Sequence, residues 1–112
     1  MNISYIDEEI RNICYSLINI NGPFTFDEIV TIRAYIADLR AAPSLADAPI
    51  DYSIVESAAS SDFLKIEFSD IQILCRLITT IPSPKPNQIK RIQILRIIKT
   101  NLQIPRRKFN DL

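Results

Sequence analysis

Residues 63–77 read FLKIEFSDIQILCRL, and this stretch decides the fold. Its first half has apolar residues at every second position: Leu64, Ile66 and Phe68. Its second half also has an apolar residue at every second position: Ile71, Ile73, Cys75 and Leu77. A period of two is typical of half-buried strands. Ser69-Asp70 between the runs fits a two-residue turn, although the glycine that such turns favour is missing. The stretch therefore predicts a β-hairpin.

A helical interpretation of the same region remains open. Ser69 and Gln72 fit a capping box, which would make residues 70–80 a helix. Residues 88–98 (QIKRIQILRII) also fit either period, because their isoleucines match both strand and helix spacing. Isoleucine is β-branched and enriched in strands, so strands are favoured for both segments.

Upstream of the hairpin, the sequence predicts a strand in MNISYI and then two helices. Asp7 can cap a first helix whose apolar stripe is Ile10, Ile13, Cys14, Leu17 and Ile18, and Asn21-Gly22-Pro23 stops it. Thr25 and Glu28 form a capping box for a second helix, which ends near Pro43. The apolar face of this second helix comprises Ile29, Ile32, Ile36 and Leu39.

These elements predict an α+β fold, with two N-terminal helices packed on an antiparallel sheet; the alternative is an all-α bundle. We expect residues 1–104 to form a single domain and residues 105–112 (PRRKFNDL) to form a basic polar tail. Tyr52–Val55 fits a further short strand. Residues 57–61 (SAASS) fit a loop of small residues, and residues 82–86 (PSPKP) fit an exposed connector.

The charges of the chain are divided between its two parts. Residues 1–70 carry 12 acidic and 4 basic residues, a balance of −8, whereas residues 71–112 carry 9 basic residues and one acid, a balance of +8. Such a division indicates an anionic partner for the basic part, or neutralisation of one half by the other within the fold.

Composition excludes several classes of site. The chain has no histidine, two cysteines and one glycine, which excludes histidine-based catalysis, a zinc site and a glycine-rich phosphate loop. We therefore expect no cofactor and no metal. The acidic residues at 7–9 do not fit a signal peptide, and residues 71–81 are too short and too polar to cross a membrane, so we expect a cytoplasmic protein with no membrane partner.

The order of the predicted elements resembles the RelE/ParE superfamily of toxin–antitoxin toxins, and within it the HigB-like branch. The resemblance covers roughly residues 1–100. The matching segments are MNISYIDEEIRNIC (1–14), IRAYIADLRAAPSLADA (32–48), FLKIEFSD (63–70), residues 71–77 and IKRIQILRI (89–97).

The resemblance implies a type II toxin that binds a cognate acidic antitoxin, with ribosome-dependent, metal-independent cleavage of mRNA as the family's activity. The catalytic set of the family does not carry over. Ile54-Val55-Glu56 stands where members have a basic residue, Gln72-Ile73 where they have a Tyr-Arg pair, and Lys99-Thr100-Asn101 where they often end with Asp-Tyr-His. No catalytic residue is therefore assigned.

Basic residues are the candidates for binding RNA or the antitoxin: Arg76, Lys90, Arg91, Arg96, Lys99, Arg106, Arg107 and Lys108. In a regular strand, Lys90 and Arg96 share a face with each other while Arg91 points away. Tyr52 is a further candidate, because it lies near the loop where the family's active cleft opens. Two other functions remain open: a binding protein on the same fold without catalysis, and an all-helical immunity or adaptor protein.

Overall fold

The structure is a computed structural model that describes residues 1–15, 23–55 and 62–100. Two helices lie on one face of a five-stranded sheet. In chain order the elements are β1 (Asn2–Tyr5), α1 (Glu8–Tyr15), α2 (Phe26–Ala41), β2 (Ser53–Val55), β3 (Phe63–Phe68), β4 (Ile71–Leu77) and β5 (Arg91–Lys99). Short 3-10 turns occupy Leu45–Asp47 and Pro86–Gln88.

The α+β prediction is confirmed, and the all-α bundle is wrong. Both ambiguous segments are strands, β4 and β5, and they pair with each other in antiparallel fashion. The sheet has the order β1-β5-β4-β3-β2. The expectation of a wholly antiparallel sheet is wrong at one edge, because β1 runs parallel to β5. The alternation in MNISYI predicts a strand, but it gives no information about which strand it pairs with.

Both helices begin where the sequence predicts. The Asp7 carboxylate accepts a hydrogen bond from the amide of Ile10 at 2.9 Å, at the start of α1. The Thr25–Glu28 capping box at the start of α2 is complete in both directions. Because Ala42 and Pro43 follow α2 directly, the helix ends at Ala41 as expected. The predicted end of the first helix, at Asn21-Gly22, lies outside the described residues. The predicted loop at residues 57–61 lies outside them as well.

The β3–β4 hairpin closes through the predicted two-residue turn. Ser69 adopts φ 54°, the left-handed conformation that glycine would adopt more readily. The register continues without a shift from Phe68 opposite Ile71 to Phe63 opposite Arg76. Tyr35 of α2 stacks on Phe68 at the end of β3, with ring centroids 4.3 Å apart.

The core lies between the helices and one face of the sheet. α2 contributes the four residues predicted for its apolar face, and α1 contributes Ile13 and Cys14. Leu45, from the turn after α2, is fully buried, and its amide donates to the carbonyl of Ile89 at 2.9 Å. The sheet residues of the core are Leu64, Ile66, Ile71, Ile73, Cys75, Leu77, Ile92, Ile94 and Ile97.

A β-bulge interrupts β5. Leu74 of β4 pairs with Arg96, but the next residue, Cys75, pairs with Ile94, so Leu95 has no partner in the ladder. One unpaired residue reverses the alternation of side chains beyond it. For this reason both Ile94 and Ile97 are buried although three positions separate them.

Candidate functional site: the open face of the sheet

The face of the sheet opposite the helices carries a cluster of cations. Arg76 pairs across the strands with Gln93, which puts both on this open face. Arg91 shares the parity of Gln93, and the bulge at Leu95 brings Arg96 to the same face. The sequence analysis predicted that Lys90 and Arg96 share one face of the strand and that Arg91 lies on the other. This prediction is wrong, because it assumed a strand without a bulge.

Lys65 of β3 completes this cluster, which we call the cation cluster: Lys65, Arg76, Arg91 and Arg96. Lys65 pairs with Leu74, and Leu74 pairs with Arg96, so these three residues form one row across the sheet. Arg76 lies two positions from Leu74, which makes it a diagonal neighbour of Lys65 and Arg96. It pairs with Gln93, two positions from Arg91, so Arg91 is a diagonal neighbour as well. Diagonal neighbours in a sheet lie about 7–8 Å apart, within the reach of long side chains.

No described acidic residue forms an ion pair with the cation cluster. The salt bridges between described residues join Arg11 to Glu8 and Lys99 to Glu28. The three arginines of the cluster are exposed, and Lys65 is half-buried. Like charges at diagonal positions of a sheet repel each other, although less strongly than like charges directly opposite. An anionic partner that relieved this repulsion would therefore bind with a favourable electrostatic contribution.

Apolar residues surround the cation cluster on the open face. Ile98 pairs with Gln72 and Val55 pairs with Phe63, so both follow the parity of this face. Ile78, whose amide donates to the carbonyl of Arg91 at 3.1 Å, continues β4 at the opposite end. Val55, Ile78 and Ile98 are 42%, 39% and 37% exposed. Phe63 is the one aromatic residue that the described strands place on the open face.

Lys99 has an internal role. Its Nζ donates to the Glu28 carboxylate at 2.9 Å and to the carbonyl of Pro23 at 3.2 Å, which joins the end of β5 to the start of α2. The backbone amide of Thr25, followed by Lys99, lowers the pKa of Glu28 below its usual value. Lys99 therefore does not belong to the cation cluster, and this ion pair is one place where the two oppositely charged parts of the chain meet.

The other predicted cations lie elsewhere. Lys90 is exposed and directly precedes β5, where its carbonyl accepts the amide of Asn2 at 3.0 Å. Arg106, Arg107 and Lys108 lie outside the described residues, as does the whole of the predicted tail. The structure thus brings together Arg76, Arg91 and Arg96 from the predicted set and adds Lys65.

Sequence reasoning missed Lys65, although a signal was present. The two-residue turn at Ser69-Asp70 fixes Phe68 opposite Ile71, and counting back along the hairpin puts Lys65 opposite Leu74. Lys65 is therefore a neighbour of Arg76 by register alone. The bulge at Leu95 had no comparable signal, since leucine is unremarkable within a strand.

Tyr52 lines a shallow depression at the β2 edge of the sheet. The depression has a volume of about 200 Å³ and is lined by Asp51, Tyr52, Ser53, Lys65 and Glu67. Tyr52 is half-buried and packs against the core, while the Glu67 carboxylate accepts a hydrogen bond from the Gln72 side chain at 3.1 Å. Through Lys65 this depression is continuous with the cation cluster.

The two cysteines are free thiols buried in the core. Burial raises the pKa of Cys14 and of Cys75 to about 12. A thiol with so high a pKa forms little thiolate at neutral pH and is a poor nucleophile. Among the described residues, no group of three or more metal-ligating side chains is brought together.

Comparisons with protein-family models, with curated proteins and with solved structures gave no match. The RelE/ParE assignment therefore stays a prediction from the sequence segments quoted above. None of the helices in the described ranges is long and apolar enough to cross a membrane.

Proposed function

We propose that this chain is the toxin component of a type II toxin–antitoxin pair, and that it binds its cognate acidic antitoxin through the open face of its sheet. The observation that carries the binding role is the cation cluster, whose four side chains form no ion pair with any described acidic residue. The toxin role itself is supported by the resemblance of residues 1–100 to the RelE/ParE superfamily.

The chemistry of the open face favours an acidic protein segment over RNA. Exposed Val55, Ile78 and Ile98 surround the cations, so a partner with carboxylates and apolar side chains would satisfy both kinds of surface. Proteins that bind single-stranded RNA without sequence preference use several aromatic side chains as stacking platforms. Phe63 is the one such residue on the described open face, and it is half-buried. A cognate acidic antitoxin fits this surface.

The experiment is induction of the chain in a bacterial host, with growth and the rate of protein synthesis as readouts. We expect the wild-type chain to slow both, and the triple variant R76Q/R91Q/R96Q to slow them equally, because that variant lacks only the surface proposed to bind the antitoxin. The matched control is Lys85→Gln, which removes a cation from the exposed connector between β4 and β5 and should leave the effect intact. Normal growth and translation with the wild-type chain would contradict the toxin role.

A second candidate function is ribosome-dependent cleavage of mRNA, and one observation favours it. Tyr52 and the carboxylates of Asp51 and Glu67 line one depression with Lys65 of the cation cluster, so possible proton-transfer groups lie beside a cation that could hold a phosphate. Mapping of mRNA ends on translating ribosomes tests it. New cuts with the wild-type chain that disappear in Tyr52→Phe and Lys65→Gln would support cleavage, and uncut mRNA would contradict it.

A further inference from the structure

The second helix also carries apolar residues on the side that faces away from the core. Its four core residues lie together on one side, because a helix brings residues three and four positions apart onto the same face. Five further apolar residues follow one another at the same intervals and form a second stripe on the outer side of the helix. We call this stripe the outer seam of α2: Phe26, Val30, Ala34, Ala37 and Ala41.

The outer seam is exposed along its whole length. All five of its residues are exposed, and the two larger side chains, Phe26 and Val30, are 80% and 50% exposed. A helix that packs one face on a core typically has polar residues on the opposite face. The three alanines allow a second helix to approach closely, since the distance between packed helices depends on the side chains at the contact. The seam therefore has the pattern of a surface that packs against another helix.

The two flanks of the outer seam carry opposite charges. The turn of the helix puts Asp27 and Asp38 on one flank and Arg33 and Arg40 on the other. The Nε of Arg33 donates to the carbonyl of Ile13 at 3.0 Å, so the basic flank lies on the side of α1. Neither aspartate forms an ion pair with a described residue. A helix that lies on the seam therefore meets an acidic border on one side and a basic border on the other.

This arrangement of charges fits the α2 helix of a second copy in parallel orientation. A twofold axis parallel to α2 brings the acidic flank of each copy against the basic flank of the other. Asp38 then lies about 3 Å along the helix axis from Arg40 of the second copy, and the contact occurs twice. Arg40 also donates to the Tyr5 hydroxyl at 3.0 Å, and a guanidinium can donate to several acceptors at once. Antiparallel helices would instead bring acidic flank against acidic flank, which is unfavourable.

We propose that two copies of this chain associate through their outer seams, with the two α2 helices side by side and parallel. Val30 packs against Val30 of the second copy, and Asp38 forms an ion pair with its Arg40. The helices and the cation cluster lie on opposite sides of the sheet, so both open faces stay accessible in the dimer. The pairing is therefore independent of the toxin role. Because the contact is one helix of 16 residues, about 24 Å long, the dimer should dissociate readily on dilution.

Analytical ultracentrifugation of the full chain, from micromolar to millimolar concentration, is the first test. We expect the wild-type chain to form a reversible dimer and Val30→Glu to stay monomeric, because that variant puts a carboxylate at the contact. Glutamate is a good helix former, so α2 should stay folded, which circular dichroism checks. The matched control is Asn87→Glu, which adds the same charge on the exposed connector and should dimerise like the wild type. A wild-type chain that is monomeric throughout, or a dimer that V30E leaves intact, would overturn the proposal.

Charge reversal at Asp38 tests the orientation of the two helices. Asp38→Arg puts a second cation beside Arg40 of the other copy, so it should weaken the dimer at least tenfold. The double variant D38R/R40D restores the ion pair with its polarity reversed and should recover most of that loss. Tighter dimerisation of D38R would indicate antiparallel helices, in which Asp38 lies near Asp27 of the other copy. That result, or a double variant with no recovery, would overturn the proposal.

Discussion

Arg91 and Arg96 lie on the same face of β5 because Leu95 between them has no partner in the ladder. In a regular strand their odd separation would put them on opposite faces. The bulge thus brings Arg96 into the same surface as Arg76 and Arg91 while Ile94 and Ile97 stay in the core. A single unpaired residue therefore adds Arg96 to the cation cluster without exposing the apolar residues of β5.

The repulsion within the cation cluster leads to the first prediction. Arg76 has the other three cations as diagonal neighbours, so Arg76→Gln should raise the free energy of unfolding by about 0.2–1 kcal/mol at low salt. Denaturant titration at two ionic strengths measures it. The gain should shrink at high salt, because charges about 8 Å apart are then screened. Lys85→Gln, on the connector, is the control and should change little; a loss of stability in R76Q would contradict the repulsion.

The second prediction concerns the ion pair of Glu28 with Lys99. The pKa of Glu28 is lowered in the folded chain, so its stabilising contribution is present above the unfolded value of about 4.3 and is lost as the pH falls through the lower, folded value. Glu28→Gln should therefore lower the melting temperature at neutral pH. The difference from wild type should vanish in acid, below the folded pKa.

The control for Glu28 is a double-mutant cycle. In E28Q/K99Q the loss should be smaller than the sum of the two single losses, because both substitutions remove the same contact. Additive losses, or a Glu28→Gln effect that persists unchanged in acid, would show that the ion pair does not join β5 to α2 in solution.

The third prediction concerns the thiols. Because burial raises the pKa of Cys14 and Cys75 to about 12, neither should react with a thiol-specific disulfide reagent at pH 8 in the native chain. Both should react promptly in denaturant. Absorbance of the released reagent measures the two rates. Fast reaction of either thiol in the native chain would contradict its place in the core.

The fourth prediction concerns the turn of the β3–β4 hairpin. Ser69 has φ 54°, a conformation that costs a non-glycine residue about 1–2 kcal/mol. Ser69→Gly should remove this cost but add conformational freedom to the unfolded chain, giving a net rise in the free energy of unfolding of about 0.5 kcal/mol. Ser69→Val, which is β-branched, should lower it. Urea unfolding of the wild-type chain and the two variants ranks their free energies of unfolding. A Ser69→Val variant as stable as Ser69→Gly would contradict the positive φ of Ser69.

Local patterns predicted most of the fold. The alternation in residues 63–77 gave the hairpin, and the capping box of Thr25 and Glu28 gave the start of α2 to within one residue. Both signals depend on residues close in sequence. The parallel pairing of β1 with β5 joins residues about ninety positions apart, and nothing in MNISYI encodes it.

The candidate site was predictable only in part, for a similar reason. Three members of the cation cluster, Arg76, Arg91 and Arg96, were evident from the basic C-terminal part of the chain, whereas Lys65 lies in the acidic part. Their arrangement depends on the bulge at Leu95, which reverses the parity of Arg96, and on the register that brings Lys65 opposite Leu74. The partner of Lys99 was also hidden, because Glu28 is distant in sequence and adjacent only in the fold.

The central claim is that the open face binds an acidic protein segment rather than RNA, and a competition titration tests it most directly. The two ligands are an acetylated and amidated dodecapeptide of alternating Val and Glu, and an oligouridylate that carries the same number of negative charges. We predict that the wild-type chain binds the peptide more tightly than the RNA, and that R76Q/R91Q/R96Q loses at least tenfold in affinity for the peptide. Tighter binding of the RNA, or equal peptide binding by wild type and the triple variant, would contradict the account.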